Sequence, residues 1–276
     1  MPFGIKNGPA IFQRFMDTVL HKYKWSIALV YIDDIIVFSR TFPKHLTHVE
    51  KILQLIISAG LTLAPKKCHL FHKSIRTLGY RVSSAGLATD EEKVIKLKEF
   101  PVPENRVAVQ SFLGLAGYYR RFIPGFATLA RPLFKLTTLD SQFKWTDECQ
   151  QAFQQLKDKL CSAPCLRFPD YNRPFVLQTD ASKIGLGAVL LQSDPGTKLL
   201  HPVMYLSRAI SDAQSRYSAT ELECLAVHWA LTQKLAHILD GPRFELHTDH
   251  EALKALFNFR THNSRLTKWA LDLEPF

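Results

Sequence analysis

Two short apolar runs, residues 27–32 and 35–38, are separated only by Asp33-Asp34. Strand-forming runs so close together leave room for no long connection, so the chain is expected to fold back as a tight β-hairpin with both aspartates at its tip. This is also the most hydrophobic stretch of the sequence. Its two central carboxylates keep it far short of the ~20 apolar residues that span a bilayer. A rigid, exposed carboxylate pair offers the hard oxygen ligands that Mg²⁺ takes alongside substrate phosphates. Asp-Asp is equally at home in an ordinary turn, so the meaning of the pair depends on its surroundings.

Those surroundings divide into three segments. In the first, Pro9 suits an opening helical turn, and Phe12, Phe15, Met16, Val19 and Leu20 follow at helical spacing. After the hairpin, Pro43 opens a second helix that Gly60 stops, and strand-like pieces follow at 61–64, 69–71 and 77–83. In the second, Thr89 and Glu92 form a capping-box pattern, and Pro101 and Pro103 close the helix. Asn105 caps the next helix, which ends at Arg120-Arg121, and a further helix spans 146–160. The proline-rich stretch 162–174 reads as a linker. The third segment predicts strands at 175–179, 186–191 and 202–206 and a long helix from Ser218 to about residue 239. A strand at 244–248 then ends at Asp249, which gives a mixed α/β unit.

The chain has 276 residues, enough for about two domains with cores of their own. With 46% hydrophobic residues and ordinary Gly and Pro it is neither disordered nor collagen-like. There is no basic-then-apolar leader at the start, which predicts a soluble intracellular chain. The five cysteines are scattered without a metal-ligand pattern and read as reduced thiols. The net charge of +10 lies wholly in residues 1–165, with 23 Lys+Arg against 13 Asp+Glu, whereas residues 166–276 carry 12 of each. Such a basic region suits a polyanionic partner, and it also suits a plain solvated surface.

The motifs together are more specific than any one of them. The run Phe3-Gly4-Ile5-Lys6-Asn7-Gly8-Pro9 with Phe12-Gln13, followed by Tyr31-Ile32-Asp33-Asp34, closely resembles the palm of reverse transcriptases. The nearest resemblance is to the Pol polyprotein of gypsy-type LTR retrotransposons. Lys67-Cys68, Leu78-Gly79-Tyr80, Ser111-Phe112-Leu113-Gly114-Leu115, Tyr118-Tyr119-Arg120-Arg121-Phe122-Ile123, Phe143-Lys144-Trp145 and Thr179-Asp180-Ala181-Ser182 follow in that family's order. The resemblance implies an α+β, multi-domain chain. Its parts are the C-terminal portion of a palm (1–84), a helical thumb or connection region (85–165) and an RNase H-like domain lacking its end (172–276). It implies RNA-directed DNA polymerase and RNase H activity, with two Mg²⁺ or Mn²⁺ ions at each centre. The implied partners are primer–template, dNTPs and RNA–DNA hybrid, with no membrane, in a cytoplasmic particle or the nucleus.

Carried over residue by residue, Asp33 and Asp34 hold the polymerase metals. Phe3, Gly4, Lys6, Pro9, Gln13 and Lys67 border nucleotide and template, and Leu78, Gly79 and Tyr80 form the primer grip. Asp180, Asp249 and one glutamate form the RNase H centre. Glu221 and Glu223 point about 200° apart around a helix, so only one faces the site. Glu223 shares its face with Ala226, Val227 and Ala230, which suit packing on a sheet, and is taken as the ligand; Glu221 is left to capping or solvent. The family's third polymerase aspartate would precede Met1 and its fourth RNase H acid would follow Phe276. The expectation is therefore a chain truncated at both ends, with impaired catalysis; the alternative reading is a catalytically defective nucleic-acid-binding remnant.

Overall fold

The computed structural model describes residues 5–138, 142–194, 196–249 and 263–276. The chain forms two compact units, Met1–His72 and Lys73–Phe276.

In the first unit, helix α1 (Gly8–Val19) has a proline in its first turn, where the missing N–H is no loss. The expected hairpin forms from β1 (Ala28–Tyr31) and β2 (Asp34–Val37), paired antiparallel from Ala28↔Val37 to Tyr31↔Asp34. Helix α2 (Phe42–Ser58) follows. Met16, Leu20, Ala28, Ile52 and Ile56 form the core of this unit. The strand-like pieces at 61–64 and 69–71 are not strands; a 3₁₀ turn, Pro65–Lys67, interrupts them.

The second unit opens with a three-stranded antiparallel sheet of β3 (Ser74–Thr77), β4 (Tyr80–Ser83) and β5 (Gly86–Thr89). The single strand expected at 77–83 is thus broken by a turn at Leu78-Gly79. These three strands fall within the second compact unit, Lys73–Phe276. Helix α3 (Glu91–Lys98) is capped by Asp90, whose carboxylate accepts from Glu92 N at 2.9 Å, one residue later than the capping box expected at Thr89. Carboxylates cap better than threonine hydroxyls, which accounts for the shift.

Helices α4 (Arg106–Tyr118), α5 (Phe126–Leu129), α6 (Arg131–Lys135) and α7 (Asp147–Cys161) enclose a second core around Phe112, Tyr119, Phe122, Leu133, Phe153 and Leu156. Fully buried side chains of this size each contribute about 1.5–3 kcal/mol of transfer free energy.

The remaining sheet has the order β8-β7-β6-β9, from β6 (Phe175–Ala181), β7 (Gly185–Ser193), β8 (Leu200–Ala209) and β9 (Phe244–His247). Strands β6 and β9 are parallel, the other pairs antiparallel. The long helix is α8 (Ala219–Trp229), which continues through a π-helical stretch, Ala230–Leu235, into α9 (Ala236–Leu239). Its apolar face and that of helix Ser264–Leu273 close the third core over Phe175, Leu177 and Leu190. The cysteines are free, with Cys149 and Cys224 buried. Among the described residues, no helix is long and apolar enough to cross a membrane.

A bridge between Leu87 and Leu166 ties β5 to the segment leading into β6, with reciprocal amide–carbonyl bonds of 2.7 and 2.8 Å. The close approach needs Gly86, at φ +133°, where an added Cβ would lie 2.0 Å from the Leu166 carbonyl oxygen. Gly86→Ala should therefore cost more than about 3 kcal/mol in denaturant unfolding, from strain and overlap together. Gly125→Ala, at φ +64° with open space around it, should cost only about 1–2 kcal/mol.

Candidate functional site

The tip of the first hairpin is a two-residue turn, Ile32-Asp33, with Ile32 at φ +52°. That conformation is unfavourable for a β-branched residue and requires outside support. Gln13 of α1 supplies it. Its Oε1 accepts the Ile32 N–H at 2.6 Å, while its Nε2 donates to Val30 O at 3.3 Å and to Asp17 Oδ1 at 2.9 Å. Asp17 in turn accepts from Lys24 Nζ at 2.6 Å, and this bond, with that from Gln13, holds its carboxyl below the usual carboxylate range. Gln13, expected to border template, therefore has its amide engaged within the fold, as a bolt between helix and hairpin. Of the two aspartates expected at the tip, only Asp33 sits in the turn; Asp34 pairs with Tyr31 and begins β2, because the left-handed Ile32 held by Gln13 shifts the turn one residue earlier, and both carboxylates are exposed. Lys6, Pro9 and Lys67 are also exposed on this unit, whereas Phe3 and Gly4 lie outside the described residues.

The Leu78-Gly79 turn has the same character, with φ +47° and +67° between the paired Thr77 and Tyr80. Two consecutive residues at the end of α4 hold it. The Tyr118 hydroxyl donates to Leu78 O, and the Tyr119 hydroxyl donates to Gly79 O at 2.6 Å. Tyr80 stacks on Tyr118 at 5.0 Å and donates to its carbonyl at 3.3 Å. Burial pushes the Tyr80 and Tyr119 hydroxyls up to about 12, so both remain proton donors throughout the physiological range.

The third group lies at one end of the four-stranded sheet. Asp180 is near the end of β6, Asp249 lies just after β9, and Glu223 projects from α8. Asp180 and Asp249 are exposed and border a groove of ≈ 660 Å³ also lined by Thr128, Lys159, Gln178 and Tyr205. Glu223 is 6% exposed. Its Oε1 accepts the Ala181 N–H at 3.1 Å, and its Oε2 is buried without a hydrogen-bond partner among the described residues. Burial first, then the charges of Asp249 and Asp180, push its carboxyl up to about 7 against the lowering effect of the Ala181 amide.

Glu221 has a different environment. It completes a capping box with Ser218 and accepts from Arg265 Nη1 at 2.8 Å and Asn263 Nδ2 at 3.2 Å. Chiefly through the Ser218 amide, its carboxyl is held below the usual range. Asp272 is paired to His228 Nε2 at 2.9 Å, away from this group.

Among the described residues, no group of three or more His, Cys, Asp or Glu side chains is placed so that it could hold a metal ion. The chemistry of the three carboxylates, as distinct from their spacing, is nevertheless of the kind that suits a divalent cation. An orphaned, buried carboxylate oxygen within the field of two further carboxylates is short of positive charge, and hard oxygen donors suit Mg²⁺ or Mn²⁺.

Residues 1–82 match the family described as reverse transcriptase (RNA-dependent DNA polymerase). Residues 145–246 match the RNase H-like domain found in reverse transcriptase. In sequence the chain matches the reverse transcriptase and RNase H-like region of the Pol polyproteins of gypsy-type LTR retrotransposons. It is 38% identical over 280 residues to the retrovirus-related Pol polyprotein from transposon 297 of Drosophila melanogaster, covering all of this chain and 26% of that protein. It is 36% identical over 282 residues to that from transposon gypsy of the same organism, covering 98% and 27%. It is 35% identical over 285 residues to the Tf2-3 polyprotein of Schizosaccharomyces pombe, covering 100% and 21%. The chain thus spans about a quarter of the length of these curated relatives.

Among solved structures, the foamy viral protease-reverse transcriptase in complex with dsDNA superposes with TM-score 0.85 at 26% identity, over 99% of this chain and 58% of that one. The same enzyme in complex with RNA/DNA hybrid gives 0.82 at 24% over 99% and 37%, a likeness of fold. The mixed α+β architecture expected from the motifs is the one observed.

At a concentration about 100-fold above its dissociation constant, Mg²⁺ or Mn²⁺ should stabilise the second unit by about 2.7 kcal/mol. Glu223→Gln and Asp180→Asn should remove most of the resulting rise in Tm, and Glu221→Gln should leave the rise in place while lowering the starting Tm through loss of a cap. In EDTA, Glu223 binds its proton more tightly in the folded chain than in the unfolded one. Its contribution is thus fully present below about pH 4.5 and is lost as pH rises through about 7, a decline that Glu223→Gln should abolish.

Proposed function

We propose that this chain carries metal-dependent centres of an RNA-directed DNA polymerase with RNase H. In this reading Asp33 and Asp34 help hold the cations of nucleotidyl transfer, and Asp180, Glu223 and Asp249 hold those of RNA hydrolysis, with two Mg²⁺ or Mn²⁺ ions at each centre. Bound there, such ions generate a nucleophile at neutral pH and neutralise charge on the leaving oxygen. The chain's own residues bind and orient. The Ala181 amide fixes one oxygen of Glu223 and so directs the other, and Asp180 and Asp249 supply ligands from two adjacent strand ends. Lys6 and Lys67, with Phe3, Gly4 and Pro9, border dNTP and template, and the Leu78-Gly79-Tyr80 turn supports the primer strand. Gln13 acts on the reaction through the hairpin it braces.

The substrates in this reading are primer–template and RNA–DNA hybrid, met through the basic excess of residues 1–165, and the setting is a cytoplasmic particle or the nucleus. The observation that carries the reading is the orphaned Oε2 of Glu223 in the field of two strand-end aspartates.

The test is incubation of the full chain with a hybrid labelled on its RNA strand, in Mn²⁺. Slow cleavage of the RNA, lost in Asp180→Asn with hybrid affinity retained, is the expected result. Hybrid binding with no Asp180-dependent cleavage would contradict the catalytic assignment, and absence of hybrid binding at low salt would contradict the whole reading.

A further inference from the structure

Beside the Leu78-Gly79 turn lies the ammonium group of Lys93. Helix α3 begins Glu91-Glu92-Lys93, and both glutamates are taken: Glu91 pairs with Arg81 and Glu92 with Arg76. Lys93 has no ion pair among the described residues. Its ammonium instead lies 5.0 Å from the centroid of the Tyr118 ring, the tyrosine whose hydroxyl pins Leu78 O. It also lies against Gly79, where an added Cβ would meet Lys93 Nζ at 3.0 Å and Tyr118 Cε1 at 3.3 Å. The glycine thus serves twice, permitting φ +67° and allowing the lysine to reach the turn. Arg121 is close enough for its charge to act on Tyr80, so a second cation borders the same cluster.

A half-buried ammonium held on an aromatic face is partly desolvated and gains when an anion completes its surroundings. The neighbouring carboxylates are already engaged, the turn is exposed at Leu78, and the charge excess of residues 1–165 favours a polyanion. We propose that Lys93, seated between the Leu78-Gly79 turn and the Tyr118 ring, contacts a backbone phosphate of the nucleic-acid strand that this turn supports. The inference rests on the nucleic-acid reading above and adds a binding residue to it. The tyrosine pair fixes the turn, and the lysine sets a point charge at a fixed place beside it.

The experiment is fluorescence anisotropy of the full chain with a labelled RNA–DNA hybrid across a KCl series, with Tm recorded for each variant. Lys93→Gln should weaken binding about three- to tenfold near 0.1 M salt and lower the slope of log K against log salt by about one contact. Lys93→Arg should keep the wild-type slope, and Lys96→Gln, an exposed lysine on the same helix, should change neither quantity. If Lys93→Gln lowers Tm, Lys93→Met, which retains most of the apolar stem, takes its place. Wild-type affinity and slope in the Lys93 variants, with Arg121→Gln weakening binding, would overturn the inference and leave the nucleic-acid reading standing. No affinity of the wild-type chain for hybrid at low salt would overturn both.

Discussion

Glu223 places an acid where helix α8 meets the end of strand β6, inside packing that is otherwise apolar. Leu222, Cys224, Leu225, Ala226 and Val227 around it are buried, so the carboxylate cannot turn to solvent without disturbing the helix–sheet contact. Among the described residues only one of its oxygens is satisfied, by the Ala181 amide, and that bond fixes α8 against the strand that carries Asp180. The Ser218–Glu221 capping box, tied in turn to Arg265, starts the same helix firmly two residues earlier. The cost of the buried acid is thus set by the whole domain. An unmet buried carboxylate oxygen costs about 1–3 kcal/mol or more, and it persists because the surrounding contacts outweigh it.

Two turns elsewhere follow a similar rule. Ile32 and Leu78 are both bulky residues at positive φ, and each lies in a motif that resembles a polymerase element. Each is held by side-chain hydrogen bonds from a helix: Gln13 of α1 to the Ile32 amide, and Tyr118-Tyr119 at the end of α4 to the Leu78 and Gly79 carbonyls. Without those bonds a local sequence of this kind has no reason to prefer the left-handed region. The bracing residues are therefore as much a part of the turns as the residues that form them. Substituting them is expected to blur the placement of the aspartates or of the turn while leaving the cores intact.

The contrast between what the sequence discloses and what it conceals follows from this. The hairpin is legible because two apolar runs so close together are a local signal, but its turn falls one residue earlier than the Asp33-Asp34 gap suggests, since Asp34 pairs with Tyr31. The distinction between Glu221 and Glu223 is legible because helical geometry alone sets their faces apart. The Leu78-Gly79 turn is not, since its support comes from tyrosines 40 residues downstream and Leu is no turn former. The bracing role of Gln13 is hidden for the same reason: its partner amide is 19 residues away. The short helices α5 and α6 carry too few turns for a clear period, and the π-helical stretch after α8 has no compositional mark. Asp90 and Thr89 compete for one cap, and the better capping carboxylate takes it although the Thr89–Glu92 spacing points to the threonine.

Glu223 is a buried acid in the field of Asp180 and Asp249, and the cation-binding role proposed for it turns on that environment. The most direct measurement is the carboxyl titration of Glu223 by carbon-detected NMR in the full chain, first in EDTA and then with saturating Mg²⁺. The expected midpoint is near 7 without metal, displaced to lower pH when the cation competes with the proton. An ordinary glutamate midpoint that Mg²⁺ leaves unmoved would contradict it.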